Sequence, residues 1–255
     1  MMRPGVPLLL FLLAIPVSPA ASARAQALPL QRGPDSTMKT FVPGIDVLPF
    51  PGLPFSGTDK IVWTRPLEGG GSVSSYEEAK VVRDGQGRLY RERHHFAPAN
   101  VDPESTLYEF YIQDPVSRTS TVCDRATRLC HITNFKPRFS FAAQAVGSFD
   151  QGRQYLTRES LGAHYIGDLS AAGTLERTTI SPGTIGNDQI LTLSREFWYS
   201  ADIKANLSVT RKDPRQGTQA ITLSILSRSE PDPSIFAVPS GYRIEDDRHP
   251  LLPPN

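Results

Sequence analysis

Residues 190–227 alternate apolar and polar side chains with a period of two, and that pattern constrains the chain more than any other feature. In ILTLSREFWYS, Leu191, Leu193, Phe197 and Tyr199 share one face, while Thr192, Ser194, Glu196 and Ser200 share the other. In ANLSVTRKD, Ala205, Leu207 and Val209 alternate with Asn206, Ser208 and Thr210. In AITLSILS, Ile221, Leu223 and Ile225 alternate with Thr222 and Ser224. Successive strand residues point to opposite faces, so each run has one face for a core and one for water. Parallel strands are covered on both faces and lack this alternation, so these runs belong to an antiparallel sheet. The connections SADIK and PRQG are short and turn-like, which makes the region a meander.

The same signal recurs upstream. EEAKVVRDGQGRLYRER is a hairpin pattern, with Gly85 and Gly87 tolerating positive φ. A two-residue loop at Gly85-Gln86 predicts Val82 opposite Leu89, Lys80 opposite Arg91 and Glu78 opposite Arg93. It also sets a hydrated His94 beside Glu77. LYEFYIQDP, RTSTVCD, LCHITNF and AGTLERTTIS add further strands, for nine or ten in all. Only 135–162 offers room for a helix or two. The fold class is mainly β, one antiparallel sheet with one or two short helices.

Both ends read differently. Arg3, an apolar stretch from Val6 to Val17 and the small residues before Ala23-Arg24-Ala25 form a signal-peptide pattern, with cleavage between Ala25 and Gln26. The apolar run is broken by Pro7 and Pro16 and is too short to span ~30 Å of hydrocarbon. Residues 26–56 are a proline-rich extended segment whose Val47, Leu48, Phe50 and Phe55 are expected along the domain surface. Residues 57–244 form a single β-rich domain, and 245–255 a disordered tail. Without Arg3 and Arg24, 25 basic residues face 26 acidic ones. That near-neutral balance gives no electrostatic case for nucleic acid or an anionic membrane as partner. The expected mature chain has no transmembrane segment and is exported, periplasmic or extracellular.

The only two cysteines, Cys123 and Cys130, flank the loop Arg125–Arg128. A four-residue loop puts them directly opposite each other, close enough for a disulfide that would form in an oxidising compartment. Closing about eight residues stabilises by roughly 2.5 kcal/mol. A three-residue loop would instead bring Val122 opposite Cys130 and leave two thiols. A metal site would need C-x2–4-C spacing, and C-x6-C lacks it. His94 and His95 are adjacent on a strand and point apart. The loop EGGGSVSS lacks the lysine and helix of a phosphate loop. There is no G-x-S-x-G elbow, and no histidine spacing suggests an activated nucleophile, so neither an enzyme nor a cofactor or metal is expected. Arg195 sits on the apolar face between Leu193 and Phe197. A charge there must be paired, reach an edge, or face a wet cavity as a polar anchor.

The stretch REFWYSADIKANLSVTRKDPRQGTQAITLSILSRSEPDPSIFAVPSGYRI resembles the end of the lipoprotein-localisation-factor fold of LolA, LolB and RseB. An aromatic strand with Trp198 runs into a turn, two strands join at Gly217, and PDPSIF and VPSGY close the pattern. The segments ESLGAHYIGDLSAAGTLERTTISPGTIGNDQ and RDGQGRLYRE are similar to a large family of exported bacterial proteins, over about 57–244. The resemblance implies a sheet curled into a half-barrel whose concave face takes acyl chains. The chain departs from the carriers in offering helix only at 135–162 and in the loop 96–106, and in lacking their early arginine motif. Leu193, Arg195, Phe197, Tyr199, Leu207, Val209, Leu223 and Ile225 would line the concave face, or equally fill a core. The first case is an exported, non-enzymatic protein holding a lipid, an acyl ligand or another envelope component. The second is an interaction module with an envelope protein partner and no ligand.

Overall fold

A computed structural model describes residues 42–140 and 143–248. The signal-peptide pattern with its Ala25–Gln26 cleavage, residues 26–41 and the tail from 249 onward lie outside them. In chain order the strands are β1 (Phe55–Pro66), β2 (Ser72–Arg83), β3 (Leu89–His94), β4 (Leu107–Asp114), β5 (Thr119–Asp124), β6 (Leu129–Asn134) and β7 (Gly147–Phe149). They continue with β8 (Gln154–Ile166), β9 (Leu169–Ile180), β10 (Leu191–Ser200), β11 (Ala205–Asp213), β12 (Gly217–Ser227) and β13 (Arg243–Asp246). All thirteen join one curled, unclosed sheet in the order β13-β6-β5-β4-β3-β2-β1-β12-β11-β10-β9-β8-β7. Every pairing is antiparallel except β13 on β6.

The short helical turns lie elsewhere than 135–162. One is α1 (Pro103–Thr106), where the Asp102 carboxylate accepts from the Glu104 N–H at 3.1 Å. The other is a 3-10 turn, Pro233–Phe236, which Asp232 caps through the Ser234 N–H at 2.9 Å. Within 143–162 the chain instead forms β7 and most of β8. Asp150, Gln151 and Gly152 all have positive φ (49°, 57° and 83°), which no helix can propagate through.

The alternation of 190–227 is reproduced in the register. Ile61, Ile221, Val209, Phe197 and Thr174 face each other in one row across β1, β12, β11, β10 and β9. The hairpin at 84–88 differs from the two-residue loop by one register step: Arg83 opposes Leu89 and Val81 opposes Arg91. The Asp84 carboxylate accepts from both the Gln86 and Arg88 N–H groups, at 3.0 and 2.7 Å, and so widens the loop. Cys123 and Cys130 are directly paired, as a four-residue loop requires, and form a disulfide with Cα atoms 4.0 Å apart.

Two segments outside the sheet complete its packing, one on each face. Residues 42–48 lie along the concave face, where Val42, Ile45 and Val47 join Phe55, Ile61, Leu207, Val209, Ile221 and Leu223 in the main core. Residues 236–242 lie on the opposite face, where Phe236, Val238 and Tyr242 pack on Phe110, Ile112 and the disulfide. The PDPSIF close thus turns Phe236 back onto the sheet.

Candidate functional site

The concave face combines apolar rows with charges at positions in phase with them. Asp59 lies two residues from Ile61, Arg91 two from Leu89, and Arg211 two from Val209, so alternation carries each into the same interior. Buried charges require partners, and residues 42–53 supply them from the main chain. Asp59 Oδ2 accepts the Ile45 N–H at 3.0 Å. Arg91 donates to the Ile45 carbonyl and forms an ion pair with Asp59. Arg211 donates to the Pro43 carbonyl at 2.9 Å. Arg83, 0 % exposed, donates to the Leu53, Leu48 and Ile203 carbonyls at 2.8, 2.9 and 2.7 Å. Burial draws its pKa down to about 10, leaving the guanidinium charged at neutral pH.

Two glycines permit this close approach. A Cβ on Gly44 would collide with the Arg91 guanidinium and the Asp59 carboxylate. At Gly87, φ is +85° and a Cβ would stand 2.6 Å from the Pro49 carbonyl oxygen. Val47, Leu48 and Phe55 are therefore core residues rather than surface ones, at 4 %, 4 % and 0 % exposure. The proline content of this segment conceals the pattern, but in-phase charges on β1, β3 and β11 are a readable sign that polar main chain lies over that face.

Beyond these residues the same face opens onto a cavity of about 250 Å³. Its apolar wall is a cross-strand row of Leu156, Thr178 and Leu193. The next row holds Glu176, Arg195, Arg211 and Gln219. Arg195 stands directly opposite Arg211, with its guanidinium 4.8 Å from the Phe197 ring centre. Burial and then the like charge of Arg195 lower the pKa of Arg211, against the attraction of Asp59.

The structure divides the residues singled out in the sequence. Leu207, Val209 and Leu223 are at most 2 % exposed and sit in the main core under residues 42–48. Phe197 and Ile225 are partly buried beside that core. Leu193 and Arg195 line the cavity. Tyr199 leaves the face: a register shift after Trp198 sets Ser200, not Tyr199, opposite fully buried Ala205, and Tyr199 is 37 % exposed. His94 is buried, not hydrated. A second shift, after Arg93, places it opposite Leu107, with Nδ1 2.9 Å from the Pro103 carbonyl and Nε2 3.3 Å from Glu92. Burial lifts the Glu77 carboxyl to about 7 against the attraction of Arg91.

No protein-family model and no curated protein matches the chain. Among solved structures it is similar to an uncharacterised conserved protein from Thermus thermophilus, at 11 % identity and TM-score 0.42, over 76 % of this chain and 91 % of that one. A LolA superfamily protein from Nitrosomonas europaea matches at 12 % identity and TM-score 0.28, over 73 % and 91 %. LprF from Mycobacterium bovis matches at 15 % identity and TM-score 0.26, over 71 % and 90 %. The similar structures thus include the fold type that the C-terminal sequence resembles. With TM-scores below 0.5 they carry no functional argument, which rests on the concave face itself.

Proposed function

We propose that this is an exported, non-enzymatic protein that binds a lipidic or otherwise hydrophobic ligand at the open end of its concave face. The observation that carries this reading is the cavity beside Leu156 and Leu193, on the same sheet face that residues 42–48 fill elsewhere. At about 250 Å³ it lies just below the ~300–1,000 Å³ of ordinary small-molecule pockets, a size for one chain rather than several. Its wall sets the apolar Leu156 and Leu193 among polar and charged side chains, Arg195, Arg211 and Gln219 among them, so an amphiphile with its chain on the leucines fits it best. Export is supported by the signal-peptide pattern and by the Cys123–Cys130 disulfide, a bond that persists in oxidising compartments.

A second reading has its own support. Leu207, Val209 and Leu223 are sealed under residues 42–48, so most of the concave face is a filled core. On that basis the chain is an interaction module of the cell envelope with no ligand. Native mass spectrometry of protein purified from a periplasm without detergent separates the two. Mass retained over the denatured sample, released as fatty acid or lipid, supports the binding reading. A bare polypeptide mass refutes it and leaves the interaction module.

A further inference from the structure

We propose that Arg195 and Arg211 form a seat for an acidic head group, so that the ligand is a single-chain anionic amphiphile with a carboxylate or phosphate at one end. This rests on the binding reading above and names its ligand class. Two arginines stand directly opposite each other on β10 and β11, on the face that lines the cavity. Like charges directly opposed across strands destabilise a sheet, so the arrangement calls for a counter-charge between them.

The neighbouring carboxylates meet that demand only in part: Asp59, whose charge also attracts Arg211, is already ion-paired with Arg91. Glu176 Oε1 is held by two N–H groups of Arg158, at 2.9 and 2.6 Å, and its other oxygen lies 3.9 Å from Arg195. Asp213 is held by Arg215, through contacts of 2.9 and 2.6 Å. Arg211 donates to the neutral Pro43 carbonyl. The lining therefore carries three cations, Arg195, Arg211 and Lys212, against two carboxylates that arginines outside the lining already engage.

The rest of the geometry fixes how the ligand would lie. The arginine row is next to the Leu156–Thr178–Leu193 row, so a head group bridging the two guanidinium groups directs its chain along the leucines. The Arg195 guanidinium lies 4.8 Å from the Phe197 ring centre, a cation–π contact that helps fix its place at the cavity. Paired N–H donors on planar guanidinium groups match both carboxylate and phosphate oxygens.

Calorimetric titration of the full mature protein with decanoate, decyl phosphate, decyl maltoside and decyltrimethylammonium tests this. Decanoate and decyl phosphate are expected to bind, each at least about tenfold more tightly than the neutral or cationic probe, the scale of one charge-assisted contact. Arg195→Gln, at a side chain 46 % exposed and so tolerant of change, should lose about tenfold for the anionic probes and leave decyl maltoside unchanged. Arg195→Lys should recover part of that loss, and thermal melts of both variants confirm folding. Equal binding of decyl maltoside and decanoate, or an unaltered Arg195→Gln, overturns the head-group seat while leaving hydrophobic binding standing. Displacement of decanoate by an equal concentration of inorganic phosphate overturns it in favour of a free-anion site. Failure of all four amphiphiles to bind removes the binding reading and the seat together.

Discussion

Over Ile61, Leu207, Val209, Ile221 and Leu223 the concave face is sealed by residues 42–48, whereas around Leu156, Leu193, Arg195 and Arg211 the same face opens onto the cavity. Both halves carry in-phase charges, but they satisfy them differently. In the sealed half, Arg83, Arg91 and Asp59 are buried and engaged with main-chain groups of a local segment. In the open half, Arg195 is half-exposed and faces Arg211, and its carboxylate contact is a long one, 3.9 Å to Glu176, which Arg158 holds more closely. The first arrangement supports stability, because each buried charge has a fixed partner. The second leaves capacity for a ligand, because water can be exchanged for one at small cost.

Substitutions can break or sharpen that contrast. The largest effect is expected for Arg83→Met, which strands three buried carbonyls and should cost about 4 kcal/mol in urea unfolding. A loss under about 1 kcal/mol would show that residues 42–53 are not held as described. Next comes a matched pair. Leu207→Ala should cost about 3 kcal/mol, as a fully buried leucine does, while Leu193→Ala should cost about 1 kcal/mol or less. Equal costs would erase the distinction between the halves. Gly44→Ala should cost about 2 kcal/mol by overpacking the Arg91–Asp59 pair, with faster hydrogen exchange at the Ile45 N–H as its local signature.

The smallest effect is a pH dependence confined to the sealed half. Folding raises the Glu77 carboxyl from 4.5 to about 7. The folded state then holds a proton that the unfolded chain releases, so stability rises as pH falls from about 7 to about 4.5 and is lost toward pH 8. Retaining the partly hydrated character of the group, the swing is on the order of 1–2 kcal/mol, and Glu77→Gln should flatten it. Burial draws the His94 pKa down, but the bonds to Glu92 and Pro103 and the nearby carboxylates together raise it, which shifts stability in the same direction. A profile that climbs from pH 5 to 8 would contradict both assignments.

Much of this architecture was legible in the alternation of 190–227, because period two fixes which residues share a face wherever the ladder is regular. The cysteine hairpin was legible for the same reason, once the loop length set the register. Legibility stopped where the ladder shifts: after Trp198, which removes Tyr199 from the face, and after Arg93, which buries His94. It stopped again at 84–88, where a side-chain cap by Asp84 changed the loop length. Residues 42–48 were the hardest, since their role depends on contacts with strands far along the chain and not on any local period. Leu193 and Arg195 share their period with Leu207 and Leu223, so only tertiary packing, not any local pattern, separates the two pairs.

The most direct measurement is photo-crosslinking of the folded protein with a diazirine-bearing decanoate, followed by peptide mapping. The account predicts labels on the peptides that carry Leu156, Thr178 and Leu193, and protection of those carrying Leu207 and Leu223. Labels on Leu207 and Leu223, with Ile45 exposed to exchange, would mean that ligand displaces residues 42–48 and that the two halves are one site.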